Sequence, residues 1–583
     1  MTTPHEKPCL VAAGQGFTVL YRGRSLYSRY NPQKTVVQTV TDMPLLPNTL
    51  VLCVSPCLWY GLTELTGRLP CDCFLLGVEA DAALHALAAD RLRALCEQQP
   101  SLAQNVALLD SGELHDIASI ISTGTARGVR LPPPHRFRRV VAVELSGGAA
   151  FNAPLYQRLV RAAENAVATF WKNRLTLTKF GRLYARNLFR NLARLPSSIP
   201  FARLCRSVRK PLLLFGAGES AETTLKAIPR AVFRQLYVIA VDAALPVLRA
   251  HGITPDCVVA VESQLAIETA YIGNTHTTPL LLADLVSRAQ VTAHTAKSPA
   301  GSISYFFSAY TDAAFLQSLR AARILPPTVP PLGSVGLTAT YLALQLRSSD
   351  AVPVFVTGLD FSFSLGATHA RGAPAHTARL ATTDRLHQPQ NIAAAFKYGA
   401  RRVQGKAGEV FTDTALSGYA NQFSTVFADA VNLYDIGQNG ISLGIARASE
   451  RELFLFLLSA SANDATTASS GTATTDDNTA TVSTKRRVRA YLAAEAAALT
   501  RLKALLVHGE AAGKSGMSAR EEIAALLSSR DYLYVHFPDG YQCRADDLSF
   551  LKRVRSETDF FLKDITRAMS ALESAAEQAG AGT

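Results

Sequence analysis

A chain of 583 residues is longer than one hydrophobic core sustains, so three or four folding units are expected. With 48% apolar and only 18% charged residues the composition excludes a disordered chain, and no apolar run reaches the roughly 18 residues that a membrane-spanning helix needs. The formal charge of +13 has to be located before it implies a partner.

Met1 to Pro8 carry charge and no apolar core, which reads as no secretory leader and a soluble, cytoplasmic protein. Up to about residue 145 short apolar runs alternate with helical stretches. A strand over Thr49–Val54, a helix start at Trp59-Tyr60-Gly61-Leu62 and a strand over Cys73–Val78 ending on Glu79 outline a half-Rossmann unit. An acidic residue in that place holds a ribose, but Ser55-Pro56-Cys57 stands where a glycine loop belongs, and without glycines a phosphate cannot come close. The unit therefore reads as structural. Its cysteines Cys53, Cys57, Cys71 and Cys73 have the wrong spacing for zinc, and read as packed free thiols with no metal.

Residues 146–210 read as a helical connector. Lys172, Arg174, Lys179, Arg182, Arg186, Arg190 and Arg194 concentrate positive charge there, and the last four recur every four residues, drawing a stripe along one helix face. The stripe is either a solvated face or a surface for an acidic protein, phosphate groups or nucleic acid; no aromatic platform accompanies it, so nucleic acid is not expected.

From residue 211 to 447 strands and helices alternate, the pattern of a parallel Rossmann-like α/β domain. Leu212-Leu213-Leu214-Phe215 breaks into Gly216-Ala217-Gly218-Glu219-Ser220 and turns helical; the next apolar runs, Leu236–Val241 and Cys257–Val261, stop on Asp242 and Glu262. Polar residues at the carboxyl ends of parallel strands mark the ligand edge of such a sheet. Glycines bring backbone close to a phosphate, and Ser220 caps a helix whose amides face the anion. Neither the dinucleotide fingerprint nor the Lys-Ser/Thr phosphate loop is complete. Ser334 opens a second helix after the proline-rich Pro326–Pro331, a second capped end or an ordinary N-cap. Ser459–Thr484 has almost nothing to bury and reads as a disordered linker, and residues 485–583 as a helical C-terminal region with an aromatic patch at Tyr532–Phe537.

Four blocks in order, Phe215–Ser220 with Val241–Ala244 and Gly252–Asp256, then Pro331–Gly336 with Thr357–Phe361, then Thr368–Gly372, and last Val403–Tyr419 with Leu433–Gly437, resemble the motility accessory factor glycosyltransferases. The front of the chain, Gly23–Pro32, is similar to that family's amino-terminal segment. The family is in turn similar to 6-hydroxymethylpterin diphosphokinase-like domains and, more distantly, to bacterial sialyltransferases. The resemblance implies transfer of a nonulosonic, sialic-acid-like sugar from a CMP-activated co-substrate to Ser or Thr of an acceptor protein such as bacterial flagellin, with no cofactor. That chemistry needs a base for the acceptor hydroxyl and donors for the phosphate. His369 is the candidate base, Asp360 its partner or an acceptor ligand. Gly216, Gly218, Ser220 and Ser334 are assigned to the donor phosphate and sugar, Asp242 and Glu262 to ribose or base hydroxyls, and Thr412, Asp413 and Tyr419 to closing the pocket. Glu219 replaces the family's turn proline and puts a carboxylate beside the phosphate site. Two alternatives stand: pyrophosphoryl transfer from ATP with magnesium, for which the turn Val261-Glu262-Ser263 offers one carboxylate where a pair is favoured, so that it requires Asp242, Asp256 and Glu262 to converge in space, and a non-catalytic flagellar accessory module.

Overall fold

The computed structural model describes residues 7–14, 16–273, 280–297, 302–311, 313–463, 476–508 and 518–580. It is an α/β protein whose internal contacts divide it into Met1–Lys179 and Phe180–Thr583.

In the first unit β1 (Thr49–Val54), β2 (Phe74–Val78), β3 (Val106–Leu108) and β4 (Arg139–Glu144) form a parallel sheet in the order β3-β2-β1-β4. Every residue of β1 and β2 is buried, the run that a strand covered on both faces requires. Ser55 and Cys57 make the turn after β1 in the left-handed region, φ 47° and 42°, where glycines would sit without strain. Glu79 is buried and taken up by the unit itself: it accepts from the Ser55 hydroxyl (2.6 Å), the Tyr156 hydroxyl (2.7 Å) and the Asp81 amide (3.0 Å). Burial pushes the thiols of Cys53 and Cys57 up to about 12, so neither is a thiolate.

The expected connector is one helix, α1 (Ala153–Leu192), and the division between the units falls inside it. Tyr156, Leu159, Ala163 and Val167 belong to a core of the first unit, and Ala185, Leu188, Phe189 and Leu192 to a core of the second.

The second unit is built on nine parallel strands: β5 (Leu212–Phe215), β6 (Tyr237–Val241), β7 (Cys257–Ala260), β8 (Leu280–Asp284), β9 (Ile303–Ser308), β10 (Thr328–Val329), β11 (Val354–Thr357), β12 (Leu433–Asp435) and β13 (Ala446–Arg447). Their order is β10-β9-β8-β7-β6-β5-β11-β12-β13. The chain runs outward from β5 to β10, then returns to start β11 on the other side of β5. The connections thus reverse between β5 and β11, and the carboxyl ends of those two strands border the crevice where such sheets bind ligands.

Alternate residues of the strands enter two cores. Cys257, Val259, Leu282 and Phe306 pack on one face; Val258, Ala260, Leu281 and Tyr305 pack on the other, against Val488, Leu499, Phe550 and Phe561. The carboxyl-terminal helices α2 (Asp476–His508), α3 (Ala519–Ser528) and α4 (Leu548–Gly580) therefore complete the sheet's second face and are not a separate domain. The aromatic patch is buried with them, Tyr532 meeting Phe189, Phe315 and Phe561 at centroid distances of 5.1, 5.1 and 5.0 Å.

The arginine stripe is corrected by the same packing. Arg182 pairs with Glu557 (2.7 Å), and Arg186 and Arg190 both reach Asp564 (3.4 and 2.5 Å). Acidic residues seven apart on α4 match arginines four apart on α1, so the middle of the stripe is an internal seam and not a surface for a partner. Of the expected linker, 464–475 lie outside the described residues; Ser459 to Asn463 end one helix, Glu450–Asn463, and 476–484 begin α2. No helix among the described residues is long and apolar enough to cross a membrane.

Candidate active site

A cavity of about 510 Å³ opens at the carboxyl ends of β5 and β11. Of the residues picked out from the sequence, Gly216, Gly218, Ser334, Asp360, His369 and Asp413 line it; Ser220, Asp242, Glu262, Thr412 and Tyr419 do not.

The glycines have a different use from the one expected. A Cβ on Gly216 would lie 2.2 Å from the Gly358 carbonyl oxygen, and one on Gly218 would lie 2.6 Å from Asp360 Oδ2. Their amides are spent on the same neighbour: Gly216 N donates to Thr357 O (2.8 Å) and Gly218 N to Gly358 O (2.9 Å). The turn is glycine-rich because it crosses the end of β11. The Ala217 amide between them has no hydrogen-bond partner among the described residues, and Ala217 lines the cavity, which makes it the donor that the turn offers to an anion.

Ser220 does not cap its helix. It is the first residue of Ser220–Ala227 and fully buried; its amide donates to Asp360 Oδ2 (2.9 Å), its hydroxyl donates to Asp360 Oδ1, and Gly358 N donates back to the hydroxyl (2.9 Å). Asp360 is thereby a clamp between the two strand ends and not a partner of His369. Burial raises its carboxyl to about 6 despite the Ser220 bonds and nearby Lys406. Behind it lies a buried ion pair, Lys406–Asp435 at 2.8 Å, both side chains 3% exposed.

Ser334 is an N-cap: its hydroxyl accepts from Gly336 N (3.3 Å) at the start of Val335–Leu346. Asp413 caps Thr414–Val426 through Leu416 N (2.8 Å). Thr412 is buried and donates to Phe361 O (3.0 Å), and Tyr419 packs its ring on Phe361. Asp242 is buried beneath the lining residues Val241 and Ala243; one oxygen accepts from Ala243 N (2.7 Å), the other is unpartnered among the described residues, and burial raises the carboxyl to about 7. Glu262 folds onto its own turn, accepting from Gln264 N (2.9 Å). Glu219 is not among the lining residues.

His369 is tied to the glycine turn through its neighbour, Ala370 N donating to Ala217 O (2.9 Å). Its ring contacts Thr368 Oγ1 (3.4 Å), which donates to Asn391 (2.8 Å). Burial, then the charges of Arg379 and His376, push the imidazole down to about 4, so it is neutral and able to accept a proton. Arg379, Lys397 and Tyr398 also line the cavity and were not singled out in the sequence, where they lie as isolated residues in a polar stretch with no spacing to mark them. The arrangement supplies a backbone donor for an anion, a neutral imidazole and two cations. The two carboxylates on its walls, Asp360 and Asp413, are both engaged by the protein.

Residues 186–366 match the family model described as 6-hydroxymethylpterin diphosphokinase MptE-like. An uncharacterized protein of Treponema pallidum (strain Nichols) is 34% identical over 586 residues, spanning 98% of this chain and 97% of its own. Among solved structures, one titled as a MAf glycosyltransferase from Magnetospirillum magneticum AMB-1 aligns with a TM-score of 0.49 at 14% identity, over 97% of this chain and 92% of that one.

Proposed function

The chain belongs to one family with that treponemal protein, with an MptE-like domain at its centre, and we propose that it is a glycosyltransferase. In this reading a nonulosonic sugar passes from a CMP-activated donor to a Ser or Thr hydroxyl of an acceptor protein such as flagellin. The observation that carries the reading is the meeting, in one cavity at the β5/β11 reversal, of the Ala217 amide, His369 and Arg379.

The donor phosphate lies against the Ala217 amide and the amino end of the helix that begins at Val335, where backbone dipoles favour negative charge. As the bond from the sugar's anomeric carbon to the phosphate oxygen breaks, its electron pair leaves with CMP. The acceptor oxygen forms the new bond to that carbon and its proton passes to the neutral ring of His369. A weakly basic imidazole suffices because the hydroxyl becomes acidic only as it bonds to an oxocarbenium-like centre. Departure of CMP as an already charged phosphate needs no protonation. The reading calls for no metal, whereas pyrophosphoryl transfer from ATP asks for converging carboxylates, and of the two on the walls Asp360 is held by Ser220 through both of its oxygens.

Thermal unfolding with nucleotides tests it. CMP without metal is expected to raise Tm, since a ligand at 100 times its Kd adds about 2.7 kcal/mol to stability. A response only to ATP with magnesium supports the diphosphokinase alternative, and no response to either supports an accessory role. Loss of the glycan mass from flagellin in cells lacking the protein tests the acceptor.

A further inference from the structure

Arg379 lines the cavity and makes no ion pair among the described residues. It lies near the end of the helix Pro374–Ala381, and its Nη1 is buried without a hydrogen-bond partner among the described residues. Lys397 lines the same cavity and makes no ion pair among the described residues. The wall carboxylates do not serve them, since Asp360 is held by Ser220 and Asp413 by Leu416 N. Nη1 is shut away from water, but the other guanidinium nitrogens are not among the buried ones and make no hydrogen bond among the described residues, so they can take an acceptor that a ligand brings into the cavity. The Ala217 amide and the helix start at Val335 already provide for one anion at the strand ends. Arg379 belongs to a separate segment, on the His369 side, close enough that its charge helps hold that imidazole down.

We propose that Arg379, with Lys397 on the wall of the same cavity, binds a second anionic group of the ligand, distinct from the phosphate at the glycine turn, and so selects donors that carry two. The assignment of that ligand as a nucleotide-activated sugar rests on the function proposed above. Two sources of a second anion fit: a carboxylate on the transferred sugar, which the planar guanidinium matches in bidentate fashion, or a second phosphate of a nucleoside diphosphate.

Calorimetric titration of the full chain with CMP, CDP and CMP–sialic acid, in wild type and in Arg379→Gln and Arg379→Lys, tests it. Wild type is expected to bind one of the two ligands that carry two anionic groups at least tenfold more tightly than CMP; a gain with CMP–sialic acid identifies a carboxylate, a gain with CDP a phosphate. Arg379→Gln is expected to erase that gain and leave the CMP affinity within twofold, with Arg379→Lys between. Equal losses for all three ligands, or no change, overturn the assignment. If CMP does not bind at all, the cytidine reading falls separately, and pyrophosphate decides the arginine: titrated against the His369 imidazole resonances, it is expected to shift them in wild type and at least tenfold less in Arg379→Gln. Identical shifts in both proteins overturn the proposal.

Discussion

Ser220 grips Asp360 from the adjoining strand end with both its backbone amide and its hydroxyl, 140 residues away in sequence. The same hydroxyl receives Gly358 N at 2.9 Å, so one buried side chain joins β5 to β11 at the point where the cavity opens. Replacing it strands two polar groups at once. Ser220→Ala is expected to cost about 2 to 6 kcal/mol, from roughly 1 to 3 for each of the two buried groups left unsatisfied, read as a lower midpoint in urea unfolding. Because the turn also carries Ala217, CMP binding is expected to weaken with it. An unchanged midpoint would show that the clamp is not structural.

His369→Ala is expected to lower the rate of sugar transfer by at least about 100-fold, the scale of a general base, while leaving the CMP-induced rise in Tm intact. The imidazole also shapes stability. Its folded pKa of about 4 lies below the ordinary 6.5, so the contribution is fully present above pH 6.5 and is lost as pH falls toward 4. Wild type is therefore expected to lose up to about 3 kcal/mol more than His369→Ala between pH 7 and pH 4. Parallel pH profiles for the two proteins would contradict the buried, neutral ring.

Gly216 and Gly418 separate two uses of the same residue. Gly216→Ala drives a methyl to 2.2 Å from a backbone carbonyl and is expected to destabilise by about 3 kcal/mol, the upper range for overpacking. Gly418 lies within the exposed face of Thr414–Val426 with nothing near its Cβ, and Gly418→Ala is expected to stabilise by about 0.5 to 1 kcal/mol. Thermal unfolding of the two variants should move Tm in opposite directions.

At the α1–α4 seam the acidic partner is the buried one. Asp564 is 3% exposed at its side chain and serves both Arg186 and Arg190, whereas Arg182 is 46% exposed. Asp564→Asn leaves two arginines facing each other and is expected to cost about 3 kcal/mol; Arg182→Gln removes a partly exposed guanidinium from the buried Glu557 and is expected to cost less, about 1 to 2 kcal/mol. Similar losses in urea midpoints would mean that the seam does not discriminate by burial.

The parallel sheet was legible because buried strands are continuous apolar runs, and Leu212–Phe215, Cys257–Ala260 and Thr49–Val54 are of that kind. In the large sheet the carboxyl-end residues pointed to one edge, and six of the chosen site residues do line one cavity there, though Asp242 and Glu262 are not among them. What the pattern cannot carry is the partner of each polar group. Ser220 reads as a helix cap from its place after two glycines, yet Asp360, far along the chain, takes its hydroxyl. The glycines read as a cradle for phosphate, yet they serve the crossing of another strand. The arginine stripe reads as a surface because Glu557 and Asp564 lie nearly four hundred residues on, and Arg379 leaves no periodic trace.

The second face of the large sheet is closed by helices from the other end of the gene, and that fixes the order of events on the ribosome. The two cores of the first unit draw only on residues up to Trp171, so that unit can mature while synthesis continues. In the second, Leu281, Tyr305 and Phe307 wait for Leu502, Phe550, Phe561 and Leu572. The sheet therefore emerges with one face half covered, and that face is completed only near the close of translation.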